Sequence, residues 1–534
     1  MYLNLCGLWF PHKAVIQTLN SLPSLRIALG HDLSCTLPHW FFNLENLLHL
    51  DLRGPKLCEN FLMKLLGSLE ELDLSKNRLE TLWDILKSLK VLQLQNTHPR
   101  FHPESIGNLK SLEQVSLWNN QMSFILESLG QLCKLVVLDI SNNPWEGVIT
   151  EAHLMNLSSL EEFSIDISWN SLNGGIPLSI GNLTQLEFFI ISDNHLSGQV
   201  PDVWKDVMGL RALDVSNNML SGTIPKSISF HLMLNLLLLS NNNFSGELPS
   251  SLQYCSFLVS LDLGDNKFSG KLPPWIGENM GHLMNLRLTA NFFSGNIPPE
   301  FCGLSMLHML DISRNNLSGH IPHCLGNLNE MKSGRIDVEE FLASLTNGSL
   351  KTVTKGREME YSYSKLYLVD SIDLSDNNLS GEIPAELTSL IGLQTLNLSA
   401  NRLTGKIPSS IGNLTLLETL DLSRNKLFGP IPVSMTSLTF LNHLNLSYNN
   451  LTGKIPTANQ FLTFDDPSIY QGNVGLCGKP LDNDCLGSSQ FGTPRGEKEE
   501  KDGDLGDKTE KVMSIELSLA WFRFQTVILQ FSDV

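Results

Sequence analysis

The sequence predicts an α/β solenoid, a stack of coils with parallel strands on a concave face and short helical or 3-10 turns on a convex face. Three observations predict it. The phrases ending at Asn194, Asn218, Asn242, Asn266, Asn291 and Asn315 recur at intervals of 24, 24, 24, 25 and 24 residues, and a constant period of this length marks one unit stacked on copies of itself. Within Leu417-Glu-Thr-Leu420-Asp-Leu422-Ser-Arg-Asn425 the leucines alternate with polar residues, which is the period of a half-buried strand. Each unit then runs into Gly-x-apolar-Pro, as at Gly429/Pro432, where glycine permits a tight bend and proline prevents regular ladder pairing.

The units follow one another with few faults. Residues 1–46 are a degenerate start, in which Leu22-Pro-Ser-Leu25 is recognisable. Regular units occupy 47–326, and the one before Asn170 carries two extra residues that are expected to bulge its strand. Four more fill 367–456, with strands ending at Asn377, Asn401, Asn425 and Asn449. About seventeen units stacked at ~4.8 Å give a strand face on the order of 80 Å long. Such a face is a broad binding surface rather than a pocket. In each unit the Asn side chain is expected to satisfy buried backbone groups of its own turn and of the neighbouring coil, since an amide both donates and accepts.

Composition narrows the function. A net charge of −18 argues against nucleic acid as a partner. No His/Cys spacing, nucleophile elbow or phosphate loop stands out, so no metal, cofactor or catalytic residue is assigned. The acids Asp139, Asp214, Asp262, Asp311, Asp373 and Asp421 form a column between the strand leucines. They recur because the unit recurs, and the chain is read as a non-enzyme. Candidate ligand residues are those that break the polar rule of the strand face: Trp118, Phe188, Ile190, Leu236, Leu238 and Arg287. Exposed apolar residues gathered on one face mark interaction surfaces; tolerance of apolar residues by slack strands is the other reading.

From Asn315 to Asn377 is 62 residues, so residues 327–366 hold an insert. Its periodicity gives way to charge, as in Arg335-Ile-Asp-Val-Glu-Glu340 and Lys355-Gly-Arg-Glu-Met-Glu-Tyr361. Long inserts in compact domains are usually functional or disordered. After it come a cap at 457–487, a charged linker at 488–511 and a divergent tail at 512–534. Ten Asn-x-Ser/Thr sequons occur, at Asn156, Asn182, Asn243, Asn316, Asn347, Asn378, Asn397, Asn413, Asn445 and Asn450, as acceptors for glycans in a secreted chain. Asn397 and Asn445 fall on the strand face, where glycans would block ligand. Cys302 and Cys324 are one coil apart and able to pair, and Cys477–Cys485 is a short staple for the cap. Cys133 and Cys255 are expected in buried small-residue slots; the pairing of Cys6, Cys35 and Cys58 is left open.

The Leu-Ser-Gly-x-Ile-Pro element, with Leu317-Ser318-Gly319 and Leu379-Ser380-Gly381 as examples, resembles the plant-type leucine-rich repeat from Leu47 to Pro456. An insert followed by four such repeats resembles the plant leucine-rich-repeat receptor-like proteins. Val353-Thr-Lys-Gly-Arg357 and Val369-Asp-Ser-Ile-Asp-Leu-Ser375 are similar to the ethylene-inducing-xylanase receptor and Cf resistance types. That resemblance implies a cell-surface glycoprotein of defence or development, at the plasma membrane and facing outward. It implies an extracellular peptide, protein or glycan ligand and partner co-receptor kinases. In the family the insert is called the island, and its Lys-x5-Tyr motif, matched by Lys355 and Tyr361, is associated with co-receptor recruitment; packing of the insert against the coil is the alternative. The family's acidic juxtamembrane segment has a counterpart here, but its signal peptide and membrane helix do not, so both ends read as truncated. Two rival readings remain: a secreted inhibitor of microbial cell-wall hydrolases, whose family is shorter and lacks an island, and a non-functional receptor fragment.

Overall fold

The computed structural model describes residues 2–4, 25–28, 47–53, 69–76, 88–97, 103–123, 127–154, 157, 163–230, 233–333, 349–354, 357–362 and 369–485. All of these fall in one compact unit, Met1–Cys485; the second unit, Leu486–Val534, lies outside the described residues.

Short strands stack in chain order into one parallel sheet of 18 strands. It runs from Tyr2–Asn4 through Leu25–Ala28 and Leu47–Asp51 to His443–Asn445. The strand Tyr2–Asn4, paired with Leu25–Ala28, adds one coil to the number expected from the repeat pattern. Register is constant: Leu213, Leu237, Leu261, Leu286 and Leu310 stand directly beside one another, all pointing inward and fully buried. A second parallel sheet of ten strands, from Glu146–Val148 to Arg402–Thr404, follows the asparagines on the flank of the stack. Its inward residues include Phe244, Phe268 and Phe293, stacked with ring centroids 6.1 and 6.4 Å apart.

Among the described residues the remaining side of a coil is mostly a 3-10 turn, such as Ser250–Tyr254 or Ser409–Asn413 entered from the proline of Gly-x-apolar-Pro, and a short α-helix at Glu151–Leu154 and Trp275–Asn279. Gly270 shows why glycine precedes that proline, because its φ of +89° lies in the left-handed region. Gly277 answers a different need: a Cβ there would sit 1.9 Å from the Glu300 carbonyl oxygen of the next coil. The spacing of these turns is set by bulkier packing than the ~4.8 Å of the strand ladder, so the strand side is the inner side.

The asparagines join the coils. Asn242 Nδ2 donates to the carbonyls of Val215, Leu239 and Ser240 at 2.9, 3.2 and 3.2 Å. Its Oδ1 accepts from the Leu220 amide at 2.9 Å. The same set recurs at Asn170, Asn194, Asn218, Asn266, Asn291, Asn315, Asn377, Asn401, Asn425 and Asn449.

Two expectations need correction. The strand before Asn170, Phe163–Asp166, pairs regularly with Val137–Asp139; the slip falls on its other side, where Glu187 is unopposed in Leu186–Ile190. Cys255 is buried as expected, but Cys133 is exposed, because it follows Leu132, whose side chain takes the inward direction of that turn. The insert also has elements of its own: a helical turn, Asn329–Ser333, and an antiparallel hairpin of Ser349–Thr354 with Arg357–Ser362.

The disulfide Cys302–Cys324 ties adjacent 3-10 turns with Cα atoms 5.6 Å apart, and Cys477–Cys485 closes the cap at 5.0 Å. In the cap, Phe461, Phe464, Tyr470 and Leu476 cover the end of the core, and Gly475–Cys477 pairs with Thr452–Lys454. No helix among the described residues is long and apolar enough to cross a membrane.

Replacing Asn242 by Ala strands the Leu220 amide and several carbonyls in a dry interior, at about 1–3 kcal/mol for each buried group left unpaired. Asn242→Ala is expected to lose about 3 kcal/mol or more in urea unfolding, whereas Asn241→Asp, at the exposed left-handed neighbour where other coils carry Asp193 and Asp265, is expected to stay within about 0.5 kcal/mol.

Candidate ligand-binding face

Two outward positions per strand pave the inner face. The first column reads Phe188, Ala212, Leu236, Ser260, Asn285, Met309, Ser371, Thr395, Thr419 and His443 in register. Beside it run Ile190, Asp214, Leu238, Asp262, Arg287, Asp311, Asp373, Asn397, Asp421 and Asn445.

The acids of the second column end the strands. Asp214 Oδ1 accepts from the Ser216 amide at 3.0 Å and from its hydroxyl at 2.7 Å. Asp139, Asp166, Asp311 and Asp373 make the same clasp with Ser141, Ser168, Ser313 and Ser375. Asn397 and Asn445 reproduce it with Ser399 and Ser447 through Oδ1, while their Nδ2 atoms donate to Asp373 and Asp421. Burial drives the Asp214 carboxyl up to about 7, against the pull of the Ser216 bonds. Asp373 is also pushed to about 7, by burial and then by the neighbouring Asp311, and Asp166 to about 6, by burial first.

Arg287 is the cation of this column, and it is already engaged. Its Nη1 lies 3.0 Å from Asp262, its Nη2 2.5 Å from Asp265 and its Nε 3.8 Å from Asp311. Burial pulls the guanidinium down, but Asp262, Asp311 and Asp265 together outweigh it and hold it above its ordinary value. One residue further into the insert side, His308 Nδ1 and Asp370 Oδ1 meet at 2.7 Å, joining the strands on either side of the insert.

The expected apolar ligand residues divide. Trp118 is 38% exposed on the inner face. Phe188 is half-buried against a small second cluster made of Ala212, Leu236, Leu238, Val259, Met284, Met309 and Val369. Leu236 and Leu238 belong to that cluster and are 1% exposed, and Ile190 is 9% exposed. The expectation that these three present apolar surface to solvent is therefore corrected: all three are buried, and Leu236 and Leu238 lie in contact with the apolar neighbours of that cluster. A residue absent from the expected set is Trp169, 53% exposed at a left-handed turn position where neighbouring coils carry Asn142 and Asp193. Its departure from the Asn/Asp habit of that position was the available signal.

Lys355 lies outside the described residues. Tyr361 is placed in the hairpin strand Arg357–Ser362, opposite Leu350. Of the sequons, Asn182, Asn243, Asn316, Asn413 and Asn450 are exposed, Asn378, Asn397 and Asn445 are half-buried, and Asn156 and Asn347 lie outside the described residues. Among the described residues no group of His, Cys, Asp and Glu could hold a metal ion. At the end of the face a cleft of about 420 Å³ opens between the last strand and the cap, lined by His443, Asn445, Tyr448, Phe464, Asp466 and Gln471 among others.

A family model described as "Leucine rich repeat" matches residues 367–427. A second, "Leucine Rich Repeat", matches 68–89, 209–230, 233–255, 257–279, 306–328 and 440–462. No curated protein sequence matches the chain. Among solved structures the chain is similar to a TDR receptor at 26% identity and a TM-score of 0.64, over 83% of this chain and 67% of that one. It is similar to PEPR1 in the PEPR1–AtPEP1 structure at 27% identity and a TM-score of 0.65, over 85% and 62% of the two chains. It is also similar to the Arabidopsis receptor kinase HAESA, solved with the peptide hormone IDA and the co-receptor SERK1, at 26% identity and a TM-score of 0.55, over 90% and 91%.

The raised carboxyls give the stability a sign. A buried acid whose folded value exceeds its ordinary ~4 favours the protonated, folded state, so its contribution is complete below about pH 4 and lost as pH rises through about 7. Thermal unfolding is expected at higher temperature at pH 5 than at pH 8. Asp214→Asn, which keeps the clasp as Asn397 and Asn445 do, is expected to flatten that difference measurably; an unchanged slope would count against the assignment.

Proposed function

We propose that the chain, whose repeats match the leucine-rich-repeat family models and whose fold is similar to plant receptor ectodomains, is a non-catalytic recognition domain signalling through partner kinases. On this reading an extracellular peptide, protein or glycan binds the inner strand face, and the island recruits a co-receptor kinase. The observation that carries it is the insert. The ladder is otherwise continuous, and Met309–Asp311 pairs directly with Ser371–Asp373 across the interruption, so the insert leaves the stack intact. A hairpin that pairs within itself and is inserted without breaking the ladder suits contact with another molecule better than it suits folding. The solved relatives support a peptide ligand and a co-receptor as partner types, since their structures hold AtPEP1, IDA and SERK1. Defence rather than development, plasma-membrane placement and glycosylation complete the proposal, drawn from the likeness to the ethylene-inducing-xylanase receptor and Cf types.

Lys355 and Tyr361 are the residues proposed for co-receptor contact. Lys355→Ala combined with Tyr361→Ala is expected to reduce ligand-induced association with a co-receptor kinase by roughly tenfold, as loss of a hot spot does, while ligand binding persists. Unchanged association in co-precipitation would remove the island from the proposal. Capture of a fungal polygalacturonase by the chain would instead favour the inhibitor reading.

A further inference from the structure

We propose that Trp118 and Trp169 form a platform for a neutral, β-linked oligosaccharide, an inference that rests on the reading of the strand face as a ligand surface and names one ligand class for it. The two indoles are 38% and 53% exposed. They stand two coils apart: the Asn119 amide donates to the Ser141 carbonyl, the Asn142 amide to the Ser168 carbonyl, and the Trp169 amide to the Ser192 carbonyl. Two steps of ~4.8 Å separate them by roughly 10 Å along the stack, about the length of one disaccharide in an extended β-1,4-linked chain.

Each tryptophan occupies a position that the repeat fills otherwise. Where Trp118 stands, the next coils carry Ser141 and Ser168, whose hydroxyls clasp Asp139 and Asp166. Where Trp169 stands, the preceding coils carry Asn119 and Asn142, joined by an Asn142 Nδ2 to Asn119 Oδ1 bond of 3.0 Å. Neither indole is recruited by the core, and Trp169 additionally holds a φ of 55° that a bulky residue adopts at a cost.

The surroundings select the ligand. A flat indole stacks on the C–H face of a pyranose, and the exposed amide of Asn142, on the coil between the two rings, can bond its hydroxyls. Strand addition by a peptide is excluded here, because the strands on both sides are paired. Asp139, Asp166 and Asp193 flank the platform, so an anionic glycan would meet like charge, whereas a neutral one would not.

The test uses the full chain and the neutral probes cellohexaose, xylohexaose and chitohexaose, followed by titration calorimetry and tryptophan fluorescence. Saturable binding of at least one probe is expected. Trp118→Ser and Trp169→Asn, which restore the residues of neighbouring coils and so should keep the fold, are each expected to weaken it about three- to tenfold; Trp→Phe at either site should retain part of the affinity. The inference is overturned if none of the three sugars binds saturably, if both restored variants bind like the parent, or if a peptide but no sugar proves sensitive to these positions. Sugar binding is read without any kinase, so a failure of the platform is distinguishable from a failure of co-receptor recruitment.

Discussion

The structure depends on one side-chain amide per coil. Stacking exposes a problem that an ordinary helix or sheet does not have: where each strand turns, backbone carbonyls and amides are carried into a dry interior with no ladder to receive them. The asparagine answers it by donating to carbonyls of its own turn and of the preceding coil, and by accepting from a backbone N–H on the preceding coil's flank. Because every asparagine touches two coils, the bonds chain the repeats together. Stability of this kind is close to a sum of coil and interface terms, which is why an insert can enter between Asn315 and Asn377 without disturbing the register of the strands on either side.

With backbone needs met by the asparagines and core volume by the leucines, the outward positions are free to vary, and their variation carries what individuality the face has. The aspartates remain tied to the architecture: Asp139, Asp166, Asp214, Asp311 and Asp373 each clasp a serine two residues on, and Asp262 accepts from the Gly264 amide. Burial first, and then crowding on adjacent strands, raises the proton affinity of Asp166, Asp214 and Asp373. Arg287 relieves that crowding locally by facing Asp262, Asp265 and Asp311 at once. A cation that reads in sequence as a ligand contact is thus occupied within the fold. By contrast, the two exposed tryptophans serve no visible structural need, and that makes them the better pointers to a ligand.

The fold was legible because its cause is periodic. The interval between asparagines, the alternation of Leu420 and Leu422, and the Gly-x-apolar-Pro bend are local signals repeated many times, so each copy corroborates the others. The pairing Cys302–Cys324 was legible for the same reason, since residues one coil apart in a stack lie side by side, and Cys477–Cys485 because the two lie close in the sequence of the cap. Candidate residues of the face were legible only as exceptions to the pattern. Trp118 was found this way, and Trp169 was missed although it broke the pattern too.

What the sequence by itself determined is therefore the repeating unit: strand, asparagine turn, glycine–proline bend and the direction in which each side chain points. Only the tertiary structure decided what each outward side chain meets. Leu236, Leu238 and Ile190 point outward as expected, yet Leu236 and Leu238 close into a second cluster with Val259, Met284, Met309 and Val369. Direction follows from the two-residue period of a strand, which is local. Exposure follows from neighbours one or more coils away, which no single period encodes.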